Sequence, residues 1–206
     1  MHEVAIVVGS LAAGYVIGSF PTAVLVTRLA THGAVDIRKV GSGNPGGLNT
    51  AQAVGKGWGA VVVLIDGAKG FFAAIIGWVI GGPDCAYAGA AASIVGHIFP
   101  VWSGFRGGKG VATAAGSVIV VFPAFFPIEA VAAGLVALLT KNAAVAASFA
   151  CLLWIAASFV WWIADLPNLW GPAPTLALPI SQTIGALLVL VKFYASRANA
   201  ETASVA

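Results

Sequence analysis

The chain has 206 residues, of which 60% are hydrophobic and only 8% charged, with a net charge of +3 and a mean hydropathy of +0.98. A soluble domain carries about 25% charged residues, so this composition excludes a soluble globular protein and implies an all-α integral membrane protein. The pI near 9.1 comes from basic residues spread thinly over several loops, which excludes a nucleic-acid footprint and fits membrane orientation instead.

A bilayer-spanning helix needs about 20 mostly apolar residues. Apolar windows fall at roughly 4–26, 59–81, 85–103, 111–122, 127–140, 143–164 and 174–191. They take up nearly the whole chain, so residues 1–206 read as one transmembrane domain with a short tail from about 192 to 206. The first window follows Met1-His2-Glu3, lacks a positive n-region and is long for a signal segment, which predicts a retained span. Its Gly14 and Gly18 form a GxxxG pair suited to close helix packing. In the second window Asp66 and Lys69 stand three residues apart on one helix face. A mid-membrane charge costs about 2.5–3.5 kcal/mol, so the two are expected to neutralise one another as an ion pair. The stretch "FPAFFP" separates the windows at 111–122 and 127–140, and its prolines predict two short spans rather than one kinked helix. Trp58, Trp78, Trp102, Trp161 and Trp162 lie near span ends, where interfacial aromatics belong. Cys85 and Cys151 have no metal-ligand spacing and form no disulfide framework.

Arg28, Arg38, Lys39, Lys56, Arg106, Lys109, Lys141, Lys192 and Arg197 fall in alternate connections and the tail, whereas the intervening connections carry Glu3, Asp84, Glu129 and Asp165. The positive-inside rule makes the basic side cytoplasmic. Seven spans with the N-terminus outside and the C-terminus cytoplasmic satisfy this count. A single helix over 111–140 would break it.

Two polar, glycine-rich stretches lie on that side: "GSGNPGGLN" (Gly41–Asn49) and "GFRGGKGVAT" (Gly104–Thr113). A glycine run lets successive N–H groups converge on an anion. Ser42, Asn44 and Asn49 add neutral donors, Arg106 and Lys109 add charge, and the following helix adds its dipole. The pair therefore suggests a phosphate-rich site at the inner interface. The first stretch matches GxGxxG, but the chain offers no βαβ unit; the second lacks the Ser or Thr of a Walker A loop, with Gly110 in its place. A plainer reading is that glycine and proline merely make turns. His97, near the inner end of its span, reads as a hydrogen-bonding residue rather than a metal ligand. There is no Gly-x-Ser-x-Gly elbow, and His32 and Asp36 are one residue too close for a His-x4-Asp pair.

The segments "AGYVIGSFPTAVLVTRL", "DIRKVGSGNPGGLNTAQAVGKG", "DGAKG" and "GHIFPVWSGFRGGKGVATAAG" together resemble the membrane acyl-phosphate:glycerol-3-phosphate acyltransferases (PlsY-type), in that family's order and spacing. The resemblance implies a seven-span bacterial inner-membrane enzyme of phospholipid biosynthesis with its active site on the cytoplasmic side. It would move an acyl group from acyl phosphate to the 1-hydroxyl of glycerol 3-phosphate, releasing lysophosphatidic acid and phosphate, with no metal or cofactor. It implies that Ser42, Lys109 and His97 are catalytic. Backbone groups of Ser42, Gly43, Asn44 and Gly46 would hold one phosphate, helped by the Ser42 and Asn49 side chains. Gly41, Gly107, Gly108, Gly110 and Thr113 complete the phosphate-binding set. Lys109 would clamp the acceptor phosphate with help from Arg106, while His97 orders the loop. Asp66, Lys69, Lys141 and Arg197 would play supporting roles, and the acyl chain would lie among the spans.

Three features depart from the family pattern. Gln52 stands where an arginine is expected, which removes a bidentate phosphate contact. Lys141-Asn142-Ala143-Ala144 replaces a serine-bearing motif, leaving Lys141 to supply charge. If Arg197 matches the final arginine of the family, Val191 and Tyr194 replace its His and Asn. Two other readings stay open on the residues alone: a catalytically silent relative that binds lipid phosphates or a membrane partner, and a small-solute transporter resting on the Asp66/Lys69 pair. Acyl-chain preference, the true acceptor and the oligomeric state stay open too.

Overall fold

The computed structural model describes the backbone of residues 2–205 and the side chains of these residues except 143 and 197–205. Among the described residues every regular element is helical. The first apolar window forms α1 (His2–Gly18) and α2 (Thr22–Ala30). The break falls at Pro21, which lacks an N–H and disfavours helical dihedrals in the residue before it. A loop containing one 3-10 turn, Ile37–Lys39, leads to α3 (Gly47–Val54) and then to the 43-residue α4 (Lys56–Ile98).

A straight helix of that length would measure about 65 Å, roughly twice the ~30 Å hydrocarbon core. It does not run straight. Gly81 (φ −156°, ψ 28°) and Gly82 (φ 75°, ψ −158°) leave the helical region, and Pro83 opens a second arm. The arms pack closely along small residues. A Cβ on Gly77 would collide with the Cys85 backbone, and one on Gly89 would meet the Ala73 carbonyl at 2.6 Å. The expected windows at 59–81 and 85–103 are these two arms.

The remaining helices are α5 (Val111–Val121), α6 (Phe126–Thr140), α7 (Ala143–Ile163) and α8 (Ala177–Val205). "FPAFFP" separates α5 from α6, as its prolines predict. Four helical stretches are long and apolar enough to cross a membrane, 2–30, 56–103, 144–163 and 177–196, and α5 and α6 are shorter apolar helices. The fold is that of an all-α integral membrane protein.

The folded α4 is the centre of the molecule. Its second arm receives α1 through the GxxxG glycines: a Cβ on Gly14 would strike the Gly89 carbonyl, and one on Gly18 the Ser93 carbonyl. Its first arm receives α5 in the same way, Gly70 against Thr113 and Gly116 against Gly67. Without apolar-in-water driving force, such close backbone contact is what associates helices in lipid. Beyond it, Phe122, Phe125 and Trp161 stack around fully buried Tyr87 and Leu178. Cys85 and Cys151 are buried free thiols.

One end of the bundle is tied by Trp170 Nε1 to Ile119 O (2.9 Å), Asn168 Nδ2 to Val121 O (3.0 Å) and Thr175 Oγ1 to Asp84 Oδ1 (2.6 Å). Both glycine-rich loops lie at the other end, where the two arms of α4 begin and finish.

Gly18→Val should push α1 off the second arm and lower stability by about 1–3 kcal/mol. Gly9→Val, at an exposed site with nothing within 4 Å, should leave it unchanged. Thermal unfolding of the two variants in one detergent checks this, and equal midpoints would refute the packing argument.

Candidate functional site

The first loop is shaped from below by two side chains. Asp36 caps the 3-10 turn by accepting from Arg38 N (3.1 Å), and it takes Arg38 Nε and Nη2 at 2.9 Å each. The Arg38 side chain and backbone N–H hold the Asp36 carboxyl down at about 2. Arg38 is thereby committed to its own loop. Ile37, fully buried, anchors the turn against α2 and α4.

Asn49 is the second shaping residue. From the first turn of α3 it donates through Nδ2 to Ile37 O (3.1 Å) and Val40 O (3.0 Å), and its Oδ1 accepts from Ser42 N (3.1 Å). Gly41 has φ +56° and passes so close that a Cβ there would collide with Asn49 Oδ1. Asn49 was expected to donate to phosphate, but both its amide hydrogens are spent on the loop. It is a clasp.

The expected phosphate nest needs the same correction. The four N–H groups assigned to it already have acceptors: Ser42 on Asn49 Oδ1, Gly43 on Val40 O (3.0 Å), Asn44 on Ser42 Oγ (3.4 Å) and Gly46 on Asn44 O (3.0 Å). This loop is closed on itself. Unspent amides remain at Gly47, Leu48 and Asn49 in the first turn of α3, where a helix has no partners for them. Ser42 itself is exposed.

The second loop is open by comparison. Phe105 N and Gly107 N bond back to Pro100 O (2.9 Å) and Ile98 O (3.1 Å), which fixes its entry. From Gly108 to Thr113 no described group takes the backbone N–H groups. Gly110, at φ 84°, turns the chain into α5. Consecutive free amides running into a helix N-terminus form a cradle for a negative charge.

The loops meet each other. A Cβ on Gly108 would lie 2.9 Å from Pro45 O and would collide with His97 Nε2, while one on Gly107 would strike His97 O. Behind this junction Lys69 Nζ stands 2.7 Å from Asp66 Oδ1, 2.8 Å from Phe20 O and 3.4 Å from His97 Nδ1. His97 Nδ1 lies 3.6 Å from the same Asp66 oxygen. All three side chains are at most 8% exposed. The Asp66–Lys69 pair foreseen as an internal ion pair thus forms the wall of a polar pocket, shared with Phe20, Pro45, His97 and Arg106. At about 20 Å³ this pocket holds little more than one water.

The other expected site residues are more scattered. Lys109 turns away from this pocket, with Nζ 4.0 Å from the centre of the Phe193 ring on α8, a cation–π contact. Partial burial there lowers its pKa below the ordinary lysine value. Arg106 is exposed at the rim. Thr113 is fully buried against α4, with no partner for its hydroxyl among the described residues, so its side chain faces the helix interface rather than the cradle. Lys141 ends α6 at φ 50° with an exposed side chain, and Asn142 caps α7 through Ala144 N (3.0 Å). The Arg197 side chain lies outside the described residues. Gln52 is exposed on α3, and Tyr194 shares a 2.9 Å hydrogen bond with Ser148 that joins α8 to α7. Among the described residues no three His, Cys, Asp or Glu side chains gather as a metal site. The Phe20 carbonyl escaped sequence reading; Pro21, which frees the backbone there, was its signal.

A second cavity, of about 260 Å³ and mostly apolar, lies among α5, α6, α7 and α8. Its lining includes Val111 and Ala114, in the first turn of α5 where the free amides run into the helix.

This arrangement is similar to known proteins. A family model described as glycerol-3-phosphate acyltransferase matches residues 8–203. The glycerol-3-phosphate acyltransferase of Bradyrhizobium diazoefficiens is 36% identical over 193 residues, covering 92% of this chain and 87% of the relative. That of Rhodopseudomonas palustris (strain HaA2) is 34% identical over 199 residues, covering 95% and 91%. Among solved structures, the integral membrane glycerol 3-phosphate acyltransferase PlsY in its glycerol 3-phosphate form superposes with a TM-score of 0.75 at 27% identity, covering 98% of this chain and 94% of that one. Its lysophosphatidic acid form gives 0.74 at 26%, covering 96% and 92%.

Lys69→Met should destabilise the protein by about 3–5 kcal/mol, because it strands a buried carboxylate. Asp66→Leu/Lys69→Met should recover most of that loss. Chemical denaturation of both variants decides it, and a single variant as stable as the parent would show that the pair holds nothing together. Asn49→Ala should cost about 1–3 kcal/mol by leaving Ile37 O, Val40 O and Ser42 N unpartnered. Hydrogen exchange should then speed up over residues 40–46 and not over 105–113.

Proposed function

The chain belongs to the glycerol-3-phosphate acyltransferase family, and on that premise we propose that it transfers a fatty acyl group from acyl phosphate to the 1-hydroxyl of glycerol 3-phosphate. In the reaction the acceptor oxygen attacks the acyl carbonyl carbon. The bond from that carbon to the phosphate oxygen breaks, and phosphate leaves with the bonding pair. The proton lost by the hydroxyl balances on the departing phosphate. Because acyl phosphate is already activated, positioning and charge stabilisation supply the rate enhancement.

The observation that carries this reading is the meeting of two phosphate-suited helix starts at Pro45 and Gly108 over one buried polar cluster. Both substrates carry a phosphate, and both must be held while the acceptor's 1-hydroxyl meets the acyl carbonyl. The open amides from Gly108 to Thr113, with Arg106 and Lys109, suit one of them. The first turn of α3, with the exposed Ser42 hydroxyl beside it, suits the other. His97 acts by packing against Gly108, which keeps the second loop in register with the first. The Phe193 ring parks the Lys109 ammonium at the cradle's edge, from where it swings onto a bound phosphate. The apolar cavity whose lining includes Val111 suits the acyl chain. Gathering of Arg38, Lys39, Lys56, Arg106 and Lys109 at the loop end supports seven spans, an external N-terminus and a site on the cytoplasmic face of a bacterial inner membrane.

A silent relative that binds without turnover is the second reading, favoured by the exposed Gln52, which offers no cation. Purified protein mixed with palmitoyl phosphate and glycerol 3-phosphate separates the two. Phosphate and lysophosphatidic acid should appear together, and Lys109→Ala and Ser42→Ala should each lower kcat/KM at least 100-fold, the usual loss for a transition-state donor being about 10²–10³. Binding without turnover by folded protein would establish the silent reading, and a fully active Lys109→Ala would remove the charge clamp.

A further inference from the structure

The apolar cavity among α5–α8 carries two polar side chains that the reaction does not use, Glu129 on α6 and Gln182 on α8. Both are more than nine-tenths buried, at 7% and 8% exposed. No described residue hydrogen-bonds or ion-pairs with the Glu129 carboxyl. Gln182 Nε2 donates one hydrogen to Ser181 Oγ at 3.3 Å, and among the described residues its other N–H and its Oε1 have no partner. Buried polar groups are nearly always partnered, and three unanswered ones on the wall of one cavity, the third being Trp154 Nε1, mark the place of a ligand's polar atom.

Their depth indicates which part of the ligand that is. The cavity lining runs from Val111, in the first turn of α5 within the amide cradle, to Phe126 and Glu129 in the first turn of α6. Helix α5 spans about 16 Å between those levels. An acyl chain whose carbonyl sits at the cradle would therefore pass Glu129 and Gln182 with an interior carbon.

We propose that Glu129 and Gln182 make this cavity selective for acyl donors that carry a hydroxyl group on an interior chain carbon. The inference rests on acyl phosphate as the donor. A hydroxyl has the chemistry that both groups lack, since an O–H donates to a carboxyl such as that of Glu129 and a hydroxyl oxygen accepts from an amide such as that of Gln182. An ammonium group would answer Glu129 alone, would leave the Gln182 N–H unpartnered and would carry charge into the apolar interior. A plain methylene chain would answer neither.

The test uses the full-length protein in lipid, glycerol 3-phosphate as acceptor, and palmitoyl phosphate beside a positional series of monohydroxylated palmitoyl phosphates. The readout is the ratio of kcat/KM on each hydroxylated donor to that on the plain donor, measured within each variant, so that a general loss of activity cancels. The parent should favour at least one interior position by about tenfold, the scale of one net hydrogen bond. Glu129→Leu should bring that ratio to about one, and Glu129→Gln, which keeps an acceptor, should retain part of it. Parent and Glu129→Leu ratios that agree at every position, with palmitoyl phosphate turned over, would overturn the inference while leaving the donor reading intact. If no acyl phosphate is turned over, the donor reading fails, and thermal shifts with hydroxypalmitate and palmitate decide the cavity alone. A hydroxyl-dependent shift in the parent that Glu129→Leu abolishes sustains the hydroxyl site. Equal shifts, or a hydroxypalmitate shift that Glu129→Leu keeps, refute it, as does a shift with palmitylamine that exceeds both.

Discussion

A lysine ammonium buried inside a lipid-facing bundle needs acceptors on several sides, and Lys69 finds them on elements far apart in the chain. Its Nζ takes the Phe20 carbonyl at 2.8 Å and Asp66 at 2.7 Å, with His97 Nδ1 at 3.4 Å. The requirement reaches outward from there. Pro21 interrupts the first span and releases the Phe20 carbonyl from a continuous helical ladder, so that it accepts from Lys69 beside Thr22 N (2.9 Å). Asp66 and Lys69 can share a face because they are three residues apart on the first arm of α4. His97 comes within reach because α4 folds back at Gly81 and Gly82. With His97 held, Gly107 and Gly108 have a surface against which only glycine fits. The register of the second loop, and hence its meeting with the first at Pro45, follows from a charge that has to be neutralised.

The two loops share a composition and do different things with it. In the first, glycines let the backbone fold tightly enough for Asn49 to collect two carbonyls and one amide, so the loop spends its hydrogen-bonding capacity on its own shape. In the second, glycines bring the backbone close to His97 and Pro45, and the amides that follow stay free. One loop is a brace that presents the start of α3, and the other leaves its amides open. Glycine serves shape in the first case and access in the second.

Gln52, Asn142 and Tyr194, positions that the resemblance marked as departures, lie outside the buried polar cluster. Gln52 is exposed, Asn142 has become a helix cap, and Tyr194 joins α8 to α7 through Ser148. The core of the site, from Phe20 through Asp66, Lys69 and His97 to Gly108, forms one connected set of contacts. Losses at a rim can be replaced by neighbouring cations, whereas a buried ion pair tolerates no partial loss.

The amino-acid sequence by itself determined the membrane class, the positions of the apolar segments, the break at "FPAFFP" and the close packing at Gly14 and Gly18. Those properties are written in local patterns: run length, proline, small-residue spacing and the alternation of Lys and Arg. Tertiary structure alone decided which amides are free, that Asn49 is a clasp, that Thr113 faces a helix interface, that Lys109 rests on Phe193, and that Glu129 and Gln182 share a cavity. Each of these depends on which distant group takes a given hydrogen bond or fills a given space. A buried donor has one partner among many chemically equivalent acceptors, and only the folded geometry selects it.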